Sequence, residues 1–182
     1  REFIMKKLQE GWHFTIIVGG GMQARRYIEA GAEVMGAEIT SDDKDWLGIH
    51  ATRFNAHLVR TIFRSVAQPA LIIDPEEDEI EDYNVIVAAG WKPGWSTDFV
   101  ATKIASRLGA PLVFNLSNIA QVYTADPKKD PTATPVEKML WADFRKMVGD
   151  EWVPGMNTPY DPIAARLASE HDMTVVVMNG ID

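Results

Sequence analysis

Two short stretches carry residue types suited to holding phosphate. The first is Gly19-Gly20-Gly21, with Arg25 and Arg26 about one helical turn further on. The second is Gly90-Trp91-Lys92-Pro93-Gly94-Trp95-Ser96-Thr97-Asp98. Each follows an apolar run, Phe14–Val18 and Val85–Ala89, and each leads into a helical pattern. A glycine-interrupted loop before a helix lets backbone N–H groups crowd around an anion, with the positive end of the helix dipole behind them. Two such loops in one small chain predict a site that holds two phosphorylated groups against each other, the geometry of phosphoryl transfer. Alone, the triple glycine reads equally as a tight strand-to-helix turn; Arg25 tips it toward phosphate. Ser96, Thr97 and Asp98 are also good helix-capping residues, and a capped start still presents amides to an anion.

The elements that must position these residues follow from apolar periodicity. Phe14–Val18, Ala70–Asp74, Asn84–Ala89, Leu112–Leu116 and Met173–Met178 are short, nearly continuous apolar runs, as expected of strands covered on both faces. Trp46/Leu47, Ala51, Phe54, Leu58 and Ile62 recur at helical spacing and predict an apolar stripe on a long helix. The helix after Ser96 should end at Gly109, a residue suited to C′. Asp161-Pro162 places a capping residue and an N1 proline ahead of Ile163, Ala164, Leu167 and Ala168. Strand and helix alternate, which predicts an α/β fold with a mainly parallel sheet. Turn signals between Ile119 and Val136 predict a hairpin or extended loop at a sheet edge.

Composition narrows the function classes. The chain has 182 residues, 46% hydrophobic and 24% charged, and reads as one domain. Its net charge of −8 argues against nucleic acid as the main partner, so positive charge must be arranged locally. Arg25, Arg26, Lys92 and Lys103 supply it near the two loops. No apolar run approaches the ~20 residues of a membrane helix. The absence of cysteine excludes disulfides and thiolate metal sites and fits a reducing, cytoplasmic setting. The acidic run Glu76–Asp82 reads as a solvated loop. The histidines His13, His50, His57 and His171 show no metal-ligand spacing, so no protein metal cage is expected and a metal would enter with a nucleotide.

Five segments together resemble the amino acid kinase superfamily, and within it the uridylate (UMP) kinases. They are Gly19–Arg25, Asp45–Thr52, Gly90–Asp98, Asn118–Pro131 and Gly155–Ala165, in the family's order and spanning nearly the whole chain. The resemblance implies a three-layer αβα sandwich and transfer of the γ-phosphoryl of ATP to UMP with Mg²⁺, giving UDP and ADP. It also implies a homo-oligomer, usually a hexamer. Carried over by position, Gly19, Gly20, Gly21 and Arg25 hold the acceptor phosphate, and Asp45, three residues before Gly48, meets the acceptor ribose. Gly94, Ser96 and Thr97 wrap the acceptor and the transferring group. Asp98 organises the catalytic centre, and Asp161 is a second carboxylate near the phosphates. Asn118, Tyr123 and Asp126 fall where such enzymes hold the adenosine of ATP.

Three departures stand out. Ala120-Gln121 replaces a usual Asp-Gly pair, and Trp91 and Trp95 flank Lys92 in a loop commonly built from smaller residues. Nothing in Arg1–Gly11 matches the family's opening strand, glycine-rich turn and lysine. A single domain incomplete at both ends is therefore expected. The competing readings are a kinase for another small acceptor (an acyl-amino acid, carbamate or isoprenoid phosphate) and a non-catalytic nucleotide- or oxyanion-binding oligomer of the same fold.

Overall fold

The computed structural model describes residues 1–117, 119–126, 130–149, 151 and 158–180. The backbone forms two compact units, Arg1–Val100 and Ala101–Asp182. Helix α4, Thr97–Leu108, begins in the first and continues into the second.

In the first unit, strands β1 (Phe14–Ile17) and β2 (Val85–Ala88) pair in parallel, Phe14 opposite Val85 and Ile17 opposite Ala88. Helix α1 (Glu2–Gln9) lays Ile4, Met5 and Leu8 against a core of Ala56, Phe63, Ala67, Val85, Val87 and Ala89. Helices α2 (Gly21–Met35) and α3 (Ser41–Ile62) pack on each other, with a 3-10 turn, Gly36–Glu38, between them. A capping box starts α3: the Asp43 N–H donates to Thr40 Oγ1, and the Asp43 carboxylate accepts from the Thr40 N–H. Those hydrogen bonds, first the one from the Thr40 hydroxyl, hold the Asp43 carboxyl below the usual range.

Two expectations for this unit are corrected. The run Ala70–Asp74 forms no strand; only Ile72 bridges to Ala88. Pro69 and Pro75 bracket it, and the N–H groups of Ile73 and Asp74 turn instead to the Asp78 carboxylate at 2.7 and 2.9 Å. The predicted apolar stripe of α3 is buried at Ala51 but not at Phe54, Leu58 or Ile62. Phe54 is 78% exposed and Leu58 61%, whereas Ile49, Ala51, Thr52 and Ala56 are buried. The buried row is built from smaller residues because the backbones of the two glycine loops approach α3 closely there. An added Cβ would lie 3.4 Å from the Gly48 carbonyl at Gly20, and 2.9 Å from Thr52 Oγ1 and 3.5 Å from Ile49 Cα at Gly90.

In the second unit, β3 (Leu112–Ser117) and β6 (Thr174–Asn179) pair in parallel, Leu112 opposite Thr174. Strands β4 (Val122–Tyr123) and β5 (Pro135–Val136) form the short antiparallel hairpin that the turn signals announced. Helix α4 ends before Gly109, which takes φ +63. Helix α5 (Trp141–Val148) was not anticipated. It packs with α6 (Pro162–Glu170), and the Trp141 indole donates to the Met173 carbonyl at 2.8 Å. Strand β3 is not covered on both faces: it alternates, leaving Phe114 56% and Leu116 65% exposed.

Candidate functional site

The parallel pairing of β1 and β2 puts both glycine loops at the carboxyl ends of neighbouring strands, about 4.8 Å apart where they leave the sheet. Ligands of open α/β sheets gather at that edge. Gly20 is the N-cap of α2 and supplies no side-chain cap, so the first N–H groups of that helix are left open. Arg25 and Arg26 are exposed one turn further in and form no ion pair among the described residues.

Helix α3 fixes both loops. The Asn55 amide donates to the carbonyls of Gly19 (2.9 Å) and Gly20 (3.2 Å). The Arg53 guanidinium donates to the carbonyls of Gly90 (3.2 Å, through Nε) and Trp91 (2.7 Å, through Nη2). Thr52 Oγ1 accepts from the buried Gly90 N–H at 2.7 Å and donates to the Ile49 carbonyl at 2.6 Å. Asp45 Oδ2 accepts from the Gly94 N–H at 2.9 Å. Asp45, Thr52, Arg53 and Asn55 share one broad side of the helix, at about 100° per residue. Of these, the sequence singled out Asp45 alone. The available signal for the others was three hydrogen-bonding side chains within one turn of a helix whose apolar stripe lay elsewhere.

The second loop is a packed element. The Trp95 N–H donates to the Lys92 carbonyl at 3.3 Å, closing a turn with Pro93 and Gly94 at its centre and Gly94 at φ +83. Proline then glycine in those positions is the type II pattern, which requires φ > 0 at the glycine. Trp91 is buried, and Trp91, Trp95 and Phe99 contact one another with ring centroids 4.1–6.1 Å apart. Lys92 Nζ lies 3.6 Å from the Trp91 ring centroid, a cation–π distance. Burial acts to raise the Asp74 carboxyl. Hydrogen bonds from the Glu76 N–H, the Trp91 side chain and the Glu77 N–H, with the Lys92 charge, outweigh it and hold the group below the usual range. Ser96 precedes α4, and its Oγ accepts from the Phe99 N–H at 3.1 Å. Thr97 and Asp98 occupy the first turn of that helix.

The first unit therefore gathers Gly19, Gly20, Gly21, Asp45 and Gly94 around α3, with Ser96, Thr97 and Asp98 continuing the second loop. Tyr123, Asp126 and Asp161 belong to the second unit. Tyr123 lies on β4 opposite Pro135, and the Asp126 carbonyl accepts from the Asp130 N–H at 2.9 Å. Asp161 is buried and caps α6, its Oδ1 accepting from the Ala164 N–H at 2.8 Å. Asn118 lies outside the described residues. Among the described residues no three metal-ligating side chains converge, and no helix is long and apolar enough to cross a membrane.

An α/β unit with two amide-rich glycine loops at one sheet edge defines a class of phosphate-binding folds. Residues 3–179 match the model of the amino acid kinase family, and the chain belongs to that family. The uridylate kinase of Hyperthermus butylicus is 34% identical over 178 residues, covering 94% of this chain and 76% of that protein. Among solved structures, the uridylate kinase from Archaeoglobus fulgidus superposes with a TM-score of 0.80 at 30% identity, over 97% of this chain and 80% of that one. The aspartate kinase from Synechocystis shares the fold at a TM-score of 0.70 and 15% identity, over 100% of this chain and 34% of that one.

Proposed function

We propose that this protein is a nucleoside monophosphate kinase that transfers the γ-phosphoryl of ATP to UMP, giving UDP and ADP. The observation that carries the reading is the pair of glycine loops leaving adjacent parallel strands, each pinned to α3 through its carbonyls. Such loops offer amides to phosphate oxygens without a net positive surface. The relatives named as uridylate kinases support UMP over another acceptor.

Gly19, Gly20, Gly21 and Arg25 hold the acceptor phosphate, Arg25 through its planar fork. Asp45 holds Gly94 with one oxygen and takes a ribose hydroxyl with the other. Gly94, Ser96 and Thr97 line the acceptor and the moving group. Asp98, at the positive end of α4, orients the reacting groups, and Asp161 is the second carboxylate near the phosphates. Asn118, Tyr123 and Asp126 hold the adenosine of ATP. Mg²⁺ would be held chiefly by the phosphate oxygens of the nucleotide and by water, the usual mode for this ion, since no three metal-ligating side chains converge among the described residues. When bound it neutralises charge on the transferring phosphoryl. Transfer is direct, since positioning and charge compensation are most of what this chemistry asks of a protein. The protein works as a cytoplasmic homo-oligomer, a hexamer by analogy with the family; exposed Phe54, Leu58 and Ile62 support association.

A coupled ADP-release assay across UMP, CMP, AMP and carboxylate acceptors tests the reading. UMP should give the highest kcat/KM, and no response to UMP overturns it.

A further inference from the structure

We infer that Arg53 and Asn55 are positioning residues that aim the amides of the two glycine loops at the phosphates. A trans peptide is planar, with C=O and N–H pointing to opposite sides. Holding a carbonyl therefore fixes the direction of the next residue's N–H. No described peptide is cis. Asn55 holds the carbonyl of Gly19 at 2.9 Å and shares that of Gly20 (3.2 Å) with the Ala24 N–H of α2 (3.1 Å), so the N–H groups of Gly20 and Gly21 face away from α3. Arg53 holds the carbonyls of Gly90 and Trp91, so the N–H groups of Trp91 and Lys92 face away from α3 as well. None of these four N–H groups bonds a protein acceptor among the described residues. One helix thus fixes consecutive peptides in each loop, through two side chains two residues apart. Without that grip the Gly19–Gly20 peptide samples both faces of its plane, since glycine tolerates φ of either sign, while the Gly20 carbonyl keeps its bond from the Ala24 N–H. Arg53 is engaged by two carbonyls, so its role is orientation of the loop, and direct contact with a phosphate falls to Arg25.

This inference deepens the acceptor assignment and rests on it for its kinetic consequence; the grip itself has an independent readout. Asn55→Asp keeps the side-chain shape but replaces the donor with a carboxylate that repels both carbonyls. Arg53→Met keeps the length and removes the donors. In ligand-free protein, backbone amide resonances of Gly20 and Gly21 should move in Asn55→Asp and hold in Arg53→Met, with Trp91 and Lys92 showing the converse. Unmoved resonances in both variants overturn the grip, whatever the substrate. In steady-state assays Asn55→Asp should raise KM for UMP about tenfold, the loss expected of misaligned hydrogen bonds to a charged group. KM for ATP should stay within about twofold, and Asn55→Gln, which retains an amide donor, should recover part of the effect. Equal rises in both KM values overturn the positioning role. Wild-type protein that ignores UMP while the resonances move as described removes the acceptor assignment and leaves the grip standing.

Discussion

Thr52→Val isolates the joint between α3 and the second loop. Valine matches threonine in shape, so the packing around this buried side chain is kept. The hydroxyl is lost, and with it the acceptor 2.7 Å from the Gly90 N–H. The Ile49 carbonyl, which took the hydroxyl proton at 2.6 Å, remains inside α3 and keeps its place in the helical ladder. Gly90 is buried, so its N–H gains no water in exchange. An orphaned buried donor costs about 1–3 kcal/mol. For a protein of this size each kcal/mol moves the melting temperature by roughly 2–4 °C, so the middle of that energy range, about 2 kcal/mol, corresponds to a drop of about 4–8 °C. Thr52→Ser is the counter-test: it keeps the hydroxyl and loses one methyl, about 0.8 kcal/mol and roughly 2–3 °C. Thermal melts at one protein concentration should rank wild type above serine above valine. Side-chain hydrophobicity alone predicts the opposite order for the two variants. Valine melting at or above serine would refute the claim that this hydroxyl ties loop to helix.

Three further outcomes are expected. Arg25→Ala should raise KM for UMP more than KM for ATP in initial-rate assays; the reverse order overturns its place at the acceptor phosphate. Asp98→Asn should abolish turnover while the melting temperature stays within about 2 °C of wild type; full retained activity removes Asp98 from the catalytic centre. Asp74→Asn should lower the melting temperature at neutral pH. Because the folded carboxyl is held below its ordinary 3.8, its contribution is present above that value and fades as pH falls through the folded value. The gap to wild type should therefore close on acidification, and a gap unchanged at about pH 2 refutes the assignment.

How much was legible in the sequence depended on whether local chemistry alone decided the outcome. Asp161-Pro162 opens α6 and Gly109 follows α4, because capping and left-handed geometry are properties of those residues themselves. The loops after β1 and β2 were legible for the same reason. Ala70–Asp74 was not, since its apolar content matches a strand while two prolines and the Asp78 carboxylate divert its backbone. On α3, two rows fit helical spacing. Counting apolar residues selects the row with Phe54 and Leu58, but burial goes to the row with Ile49, Thr52 and Ala56, where loop backbones come close. Thr52, Arg53 and Asn55 escaped because their partners lie up to 38 positions away and are all backbone atoms.

Helix α3 runs unbroken for 22 residues, a stiff rod about 33 Å long. The groups that grip the glycine loops project from one side of it, and Phe54 and Leu58 from the other. Rotating or sliding that rod displaces both grips together, whereas a substitution at Asn55 or Arg53 reaches one loop alone. A shift of the whole helix therefore carries them in concert, as two jaws on a single handle.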